Sequence, residues 1–264
     1  MLHISENLTS SNSGFCQTLE HSAPTKILLT VPHDGLIAAD FGFFKPRDKG
    51  PDGRRAIYGR DTHVWPIVRD IVDHADKDGV GIDAVRFLVP RMYVDANRAL
   101  VPEDNLDPDT PHQTALDDPR LIPAYENYFS VIRQQVTRSI EAYGKDKILF
   151  IDCHGFGGKL QADFDLILGT ANRTTLKHSD VDRQFAAAMR EFGYRVFLPE
   201  KVPVSPQGDP FSAGHTTIHT ARTYDIDAIQ IEIANRFRTR EGTEQGLLLA
   251  AHIASFLVSH YRPA

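Results

Sequence analysis

Two histidines stand directly after short apolar segments of this chain. His33 lies in TVPHDG after residues 26–31, and His154 lies in FIDCHGFGG after residues 147–151. Both segments are rich in β-branched residues and are bounded by Pro or Gly, which predicts buried strands. The carboxyl ends of strands line the ligand cleft in open α/β sheets, so the two imidazoles are expected to converge on one point. Convergence of this kind would build a metal site.

A carboxylate interrupts a third apolar segment. Glu232 lies near the end of residues 228–233, and a buried carboxylate is costly unless it faces a cleft, a cation or a metal. Strand alternation places Gln230 on the same face, which predicts that this face is polar. Two His and a carboxylate with an open fourth position form the usual layout of a catalytic zinc site. A structural ion pair of Glu232 with Arg236 or Arg238 is the alternative.

Asp61 is the candidate for the third ligand. It lies in YGRDTHVWPIV, between a long polar loop and a predicted helix, from where it could point back toward the strand ends. The residues alone favour another role, the N-cap of that helix. His63, two residues later, competes with it as a ligand.

The elements that must position these residues alternate between strand and helix along the chain. This alternation predicts an α/β fold with a mostly parallel mixed central sheet and helices on both faces. The polar loop at residues 45–60 is long enough to be functional. The predicted strands are residues 26–31, 87–94, 147–151, 165–168, 195–198 and 228–233, and the predicted helices are residues 62–76, 122–143, 181–192 and 241–261.

Length and composition predict one domain over residues 26–264, preceded by a flexible N-terminal segment at 1–25. The formal net charge of -6 argues against a nucleic-acid or anionic-membrane partner, because both need basic patches. No apolar run approaches the roughly 20 residues that span a bilayer. The first 25 residues do not resemble a secretory signal, and two cysteines make no disulfide framework, so a cytoplasmic location is expected.

Six motifs between residues 26 and 238 occur in an order and spacing that resembles the N-formylglutamate amidohydrolase family. They are VPHDG, GRDTHVWPIV, RMYVDANRAL, FIDCHGFGG, DLILGT and AIQIEIANRF. That family is itself similar to the zinc carboxypeptidases. The resemblance therefore implies a carboxypeptidase-like, phosphorylase/hydrolase-like fold and hydrolysis of an amide bond.

The resemblance also implies roles for individual residues. It assigns zinc to His33, Asp61 and His154, which makes Asp61 a ligand and not an N-cap. It makes Glu232 the catalytic base. Zinc suits His and carboxylate ligands, although such a set also accepts other divalent ions.

Further roles concern the residues around the metal. Asn97 and Arg98 resemble the Asn-Arg pair that recognises substrate in these families. Arg91 or Arg98 would stabilise the oxyanion, and the remaining guanidinium would bind a substrate carboxylate. Asp152, on the same strand face as His154, would support that ligand by a hydrogen bond.

The segment at 209–219 departs from the family pattern. The family carries a Gly-Gly pair and then an Arg before a His, where this chain has Ala213, Gly214 and then Ile218 before His219. The carboxylate-binding Arg is thus absent from its usual place, and Arg222 is the candidate to replace it. His219 and Arg222 are therefore predicted to bind substrate.

Two further positions, Asp34 and Gly155, stand where the family motifs carry Ser. The implied reaction class does not depend on either position. The leading hypothesis is a zinc amidohydrolase that acts on a small acidic N-acyl amino acid of the N-formyl-L-glutamate type. The alternatives are a zinc peptidase of carboxypeptidase or γ-glutamyl type, and a non-catalytic protein that binds a metal or small molecule.

Overall fold

The structure is a computed structural model that describes residues 8–36, 41–48, 56–107, 110, 112–198, 212–238 and 244–262. Over this part of the chain it contains eight strands and five α-helices. The strands are β1 (Leu8–Ser13), β2 (Cys16–His21), β3 (Ile27–Val31), β4 (Asp83–Phe87), β5 (Leu149–Phe156), β6 (Leu166–Gly169), β7 (Val196–Phe197) and β8 (Asp227–Ala234). The helices are α1 (Val64–Lys77), α2 (Ile122–Tyr143), α3 (Val181–Glu191), α4 (His215–Tyr224) and α5 (Glu244–Tyr261).

All eight strands form one sheet in the order β1-β2-β4-β3-β5-β8-β6-β7. The centre, from β4 to β8, is parallel, and so is the outer pair β6–β7. The pairs β1–β2, β2–β4 and β8–β6 are antiparallel. β5 and β8 are buried along nearly their whole length, as expected for strands covered on both faces. The predicted α/β class with a mixed, mostly parallel sheet is confirmed.

Helices cover both faces of this sheet. One apolar core lies against α1, α3 and α5, and a second core packs mainly against α2 and also receives Ala221 from α4. The apolar residues of α1 recur at the helical period on its buried face, for example at Val64, Ile67, Val68 and Ile71. The sheet therefore lies between two layers of helices.

The candidate residues lie at the carboxyl ends of three adjacent strands. β5 pairs with β3 on one side and with β8 on the other. His33 follows β3 by two residues, and His154 of β5 lies directly opposite Glu232 of β8. This register brings a ligand candidate and the candidate base side by side.

Two expectations about the first part of the chain are corrected. Residues 8–21, expected to belong to a flexible segment, form the hairpin β1–β2, in which Cys16, Thr18 and Leu19 are buried. β2 pairs with β4, so the sheet begins before residue 26. That residues 26–264 act as a single domain stays a prediction.

The predicted strand at 87–94 is also wrong, because β4 ends at Phe87 and the chain turns away through Pro90, which lacks the N–H that a strand needs. Helix α4 was not predicted, since its sequence HTTIHTARTY contains few strong helix formers. Among the described helices, none is long and apolar enough to cross a membrane.

Candidate metal centre and active site

His33, Asp61 and His154 converge at the carboxyl end of the sheet, and all three are buried. The Nδ1 atoms of the two imidazoles lie 3.1 Å apart. Asp61 Oδ2 lies 3.4 Å from Nδ1 of His33 and 3.3 Å from Nδ1 of His154. Zinc bonds of 2.0–2.1 Å in tetrahedral geometry separate ligand atoms by about 3.3–3.4 Å. The three donor atoms thus already have the spacing of one face of a zinc tetrahedron.

The other ring nitrogen of each histidine contacts a buried carboxylate. His33 Nε2 lies 2.7 Å from Asp95 Oδ1, and His154 Nε2 lies 3.0 Å from Asp152 Oδ2. Asp152 is held in turn by the hydroxyl of Thr30, which donates to Oδ1 at 2.6 Å. Carboxylates in these positions favour the tautomer that carries its proton on Nε2 and its lone pair on Nδ1, as a metal ligand requires.

The charges around the three donors favour a cation. Burial opposes protonation of His154, but the carboxylates of Asp152 and Asp61 outweigh it and raise the pKa of the imidazole to about 10. Burial also opposes ionisation of Asp61, yet hydrogen bonds to His154 and His33 hold its pKa well below the usual range. A site that keeps its carboxylate ionised and attracts positive charge fits a divalent metal ion.

Asp61 does not cap the helix that follows it. α1 begins at Val64, its N-cap residue is His63, and the side chain of His63 makes no cap hydrogen bond. The carboxylate that reaches this helix end is Asp34, whose Oδ2 accepts the backbone N–H of Trp65 at 2.9 Å. Asp34, and not Asp61, therefore caps the helix, while the Asp61 carboxylate faces the two histidines. His63 is not part of the cluster formed by His33, Asp61 and His154.

Glu232 is oriented by the amide of Gln230. Gln230 Nε2 donates to Glu232 Oε1 at 3.0 Å, and the backbone N–H of Gly214 donates to Gln230 Oε1 at 2.7 Å. The second bond sets which end of the Gln230 amide faces Glu232. Burial, partly offset by His154, raises the pKa of Glu232 to about 7. A group that titrates near neutral pH can both accept and return a proton.

A cavity of about 760 Å³ opens onto the three donor atoms and Glu232. Its volume lies within the range of small-molecule sites. Four arginines line its wall, and each is at least partly buried: Arg60, Arg91, Arg98 and Arg238. Three carboxylates, those of Asp61, Asp107 and Glu232, also line the cavity. The arginines therefore give its wall a small excess of positive charge, which favours an anionic ligand.

Arg91 lies beside the donor cluster. Its Nε donates to Asp95 Oδ2 at 3.2 Å, and its Nη1 lies 3.9 Å from Asp61 Oδ1. Asp95 also accepts a hydrogen bond from Arg47 Nη1 at 3.1 Å. Asp95 and Arg47 are both almost fully buried. The Asp95 carboxylate therefore contacts both His33 and the guanidinium groups of Arg91 and Arg47.

Asn97 and Arg98 line the same cavity but already have partners. Asn97 Oδ1 accepts the backbone N–H of Thr216 at 3.0 Å, and Arg98 Nη1 lies 2.7 Å from Asp107 Oδ2. A Cβ at Gly214 would come within 1.9 Å of the Asn97 amide, so only glycine allows this approach.

A family model for the N-formylglutamate amidohydrolases matches residues 25–237. The chain belongs to the N-formylglutamate amidohydrolase family. N-formylglutamate amidohydrolase from Ralstonia eutropha JMP134 is similar in structure, with a TM-score of 0.63 and 19% identity over 91% of this chain and 94% of that chain. A gene product of Agrobacterium tumefaciens has a TM-score of 0.55 and 17% identity over 94% of this chain and 93% of that chain.

Both likenesses concern the fold. A metallo-carboxypeptidase from Burkholderia cenocepacia gives a TM-score of 0.49 at 12% identity, over 98% of this chain and 66% of that chain. A comparison with curated proteins finds no match. Membership of the N-formylglutamate amidohydrolase family therefore rests on the family model.

Two residues predicted to bind substrate lie away from the cavity. His219 stacks on His215, with 5.3 Å between ring centroids, and lines a separate cavity beside Phe129. Arg222 is exposed. Neither is among the described residues that line the 760 Å³ cavity. The reason is the helical period of α4, which turns Thr216 and Thr217 toward the site and His219 toward α2.

Sequence reasoning also missed two buried residues beside this cluster, Asp95 and Arg47. Asp95 lies two residues before Asn97 in RMYVDANRAL, where its type and position could have marked it as a partner for a metal-binding His. Arg47 stands at the beginning of a long loop, and nothing in its local sequence indicates that it is buried against Asp95.

Proposed function

We propose that this protein is a zinc-dependent amidohydrolase that cleaves an N-acyl amino acid of the N-formyl-L-glutamate type into the amino acid and the free acid. The observation that carries the proposal is the spacing of the three donor atoms in His33, Asp61 and His154, with Glu232 opposite His154 on the neighbouring strand. Family membership supports an amidohydrolase, and the arginine-lined cavity supports an acidic substrate.

The chemistry that zinc supplies in such a site is Lewis acidity, which acidifies water and polarises a carbonyl. The protein contributes the proton transfers. Glu232 accepts a proton from the attacking water at Oε2, since Oε1 is held by Gln230. It then delivers the proton to the nitrogen of the leaving amine as the C–N bond breaks.

Arg91 stabilises the charge that develops on the carbonyl oxygen. Its hydrogen bond to Asp95 fixes the guanidinium before substrate binds, and one such donor is typically worth about 3 kcal/mol. Asn97 and Arg98 contact the substrate from the same wall of the cavity. Asp152 and Asp95 keep the two histidines oriented.

The proposal is tested by metal analysis together with hydrolysis of a substrate panel. The panel contains N-formyl-L-glutamate, other N-acyl amino acids, γ-glutamyl peptides and carboxyl-terminal peptides. We expect about one zinc per chain, as a mononuclear catalytic site requires. Glu232→Gln should retain the metal and lose activity by about 10²- to 10⁴-fold, because the general base is removed. Glu126→Gln, at an exposed position on α2, is the matched control.

The outcomes separate the alternatives. Cleavage of peptides without hydrolysis of acyl amino acids would indicate a zinc peptidase. A chain that holds zinc and hydrolyses nothing would indicate a metal-binding or ligand-binding protein without catalysis. A chain that takes up no divalent metal after reconstitution contradicts the assignment of His33, Asp61 and His154. A cytoplasmic location remains a prediction.

A further inference from the structure

Arg238 is buried in the wall of the cavity, directly after a short 3-10 turn (Asn235–Phe237) that follows the strand carrying Glu232. Only 6% of its surface is exposed. Its guanidinium donates to three backbone carbonyls, at 3.0 Å to Ile233, 2.8 Å to Thr62 and 3.1 Å to Phe156. These carbonyls come from three separate parts of the chain, so the guanidinium is fixed in place before any ligand binds.

The partners of Arg238 differ in charge from those of the other cavity arginines. Within the described part of the chain, no carboxylate lies within ion-pair distance of Arg238. Burial lowers the pKa of its guanidinium, and the more distant carboxylates of Asp61, Glu232 and Asp34 offset only part of that lowering. The other three arginines each have a carboxylate partner: Arg60 with Asp34 at 2.6 Å, Arg91 with Asp95 at 3.2 Å and Arg98 with Asp107 at 2.7 Å. A buried cation whose bonds all go to neutral groups favours an anionic ligand.

A guanidinium has five N–H groups, and each terminal nitrogen carries two of them. The described carbonyls accept one from Nε, one from Nη1 and one from Nη2. Each terminal nitrogen therefore retains one further N–H on a side chain that lines the cavity. Two donors from one guanidinium match the two oxygens of a carboxylate.

Gly155 is what allows the guanidinium to lie there. A Cβ at this position would stand 2.3 Å from Arg238 Cζ and 2.4 Å from Nη1. Any side chain at residue 155 would force the guanidinium away. Gly155 is also a position where the chain departs from its family motif, and Ile218, where the motif has Arg, is buried in α4 outside the described lining of the cavity.

We propose that Arg238, seated against Gly155, binds a carboxylate of the substrate and selects for a dicarboxylic N-acyl amino acid. This inference rests on the proposed function, which it deepens by naming a specificity residue. Arg238 binds the carboxylate and does not take part in the proton transfers at Glu232.

The test compares N-formyl-L-glutamate with its two monoamides, N-formyl-L-glutamine and N-formyl-L-isoglutamine. Arg238→Ala should raise KM for N-formyl-L-glutamate by about 10- to 100-fold and change kcat little, because charged hydrogen bonds are lost from binding. For one of the monoamides, the wild type and Arg238→Ala should have the same kcat/KM. That monoamide identifies the carboxylate that Arg238 binds, and a merely structural role would affect all three substrates equally.

Two further variants guard against misfolding. Arg238→Lys keeps the charge but loses the paired donors, so its KM should lie between those of the wild type and Arg238→Ala. Gly155→Ser keeps Arg238 but displaces its guanidinium, so it should reproduce the selective loss. Each variant is checked for zinc content and Tm, and Arg133→Ala, at an exposed position on α2, is the matched control.

A binding measurement separates this inference from the proposed function. Calorimetry with zinc-loaded Glu232→Gln should detect binding of N-formyl-L-glutamate. The double variant that also carries Arg238→Ala should bind it about 10- to 100-fold more weakly, as expected when charged hydrogen bonds are lost. Hydrolysis of the panel without any Arg238-dependent selectivity overturns this inference alone. Arg238-dependent binding without hydrolysis overturns the proposed function alone, and the absence of binding to Glu232→Gln overturns the inference.

Discussion

Asp95→Asn is the most informative substitution outside the three proposed metal ligands. Asp95 is fully buried and accepts four hydrogen bonds. Oδ1 faces His33 Nε2 at 2.7 Å and the backbone N–H of Asn97 at 3.0 Å, whereas Oδ2 faces Arg47 at 3.1 Å and Arg91 at 3.2 Å. The same side chain thus orients His33, a proposed metal ligand, and pairs with two cations.

The size of the effect follows from these contacts. Asparagine keeps the shape and can still accept from His33 and Asn97 through its one oxygen. Its amide N–H groups then point at Arg47 and Arg91, so two charged hydrogen bonds are lost at about 1.5–3 kcal/mol each. Removing one partner of a buried ion pair costs about 3–5 kcal/mol, which agrees with that sum. We therefore expect the free energy of unfolding to fall by about 3–5 kcal/mol.

Metal affinity is expected to fall as well. Loss of a carboxylate that orients a metal-binding histidine typically weakens metal binding by about 10- to 100-fold. The free energy of unfolding is measured by urea denaturation in the presence of a chelator, so that lost metal does not add to the change. Zinc affinity is measured by competition with a chromogenic chelator. Asp78→Asn, at an exposed position after α1, is the matched control.

The reasoning is refuted if Asp95→Asn unfolds within about 1 kcal/mol of the wild type, a change typical of surface sites, and binds zinc equally well. That result would mean that Arg47, Arg91 and His33 are held by other contacts. A large loss of stability with unchanged zinc affinity would leave Asp95 as a structural residue only.

Three further predictions concern other parts of the molecule. Burial opposes protonation of His21, but hydrogen bonds to Asp83 and Asp76 raise its pKa, and Arg138 contacts only its backbone carbonyl. A group whose pKa is higher in the folded than in the unfolded protein stabilises the fold at pH values below its unfolded pKa, which for His is about 6.5. This stabilisation is lost as the pH rises through the folded pKa. His21→Gln should therefore lower the free energy of unfolding more at about pH 5.5 than at about pH 9. Gly214→Ala should displace the Asn97 amide, which is 1.9 Å from the added Cβ, and lower kcat/KM by about 10-fold or more with zinc retained. Removing zinc should lower Tm, because a ligand at 100 times its Kd stabilises the native state by about 2.7 kcal/mol.

Each of these predictions has a result that contradicts it. An equal loss of stability in His21→Gln at both pH values would show that the ring acts by packing alone. Unchanged kinetics in Gly214→Ala would show that Asn97 can move without cost. An unchanged Tm after chelation, with zinc verified in the untreated sample, would mean that the metal does not bind at a site formed by folding.

The central strands were predictable because a buried parallel strand leaves a continuous apolar segment, as residues 26–31 and 228–233 do. The places of His33 and Glu232 could be read from the ends of those two segments, and that of His154 from the end of residues 147–151. Asp61 needed the family resemblance, since its local sequence also fits an N-cap. That role at the helix is taken by Asp34, which reaches α1 from a distant part of the chain.

What could not be predicted depends on tertiary contacts. The hairpin β1–β2 is polar on its exposed side, so its sequence lacks a strong strand pattern. The burial of Arg47 depends on where a long loop folds, and the faces of α4 depend on a helix that its Thr and His residues do not predict. His219 and Arg222 lie outside the described lining of the 760 Å³ cavity for that last reason.

Among the described strands, β1 forms one outer edge of the sheet, and its sequence is LTSSNS. An outer strand exposes backbone groups that can pair with another chain, which makes long apolar edges prone to aggregate. Here the exposed side chains at residues 9–12 are small and polar, so water competes well with another chain for hydrogen bonds to the backbone groups of that edge. Deletion of β1 would make β2, with its buried Cys16 and Leu19, the outer strand. A chain shortened in this way should therefore lose solubility on concentration, even though the residues of the candidate metal centre lie at the far side of β4.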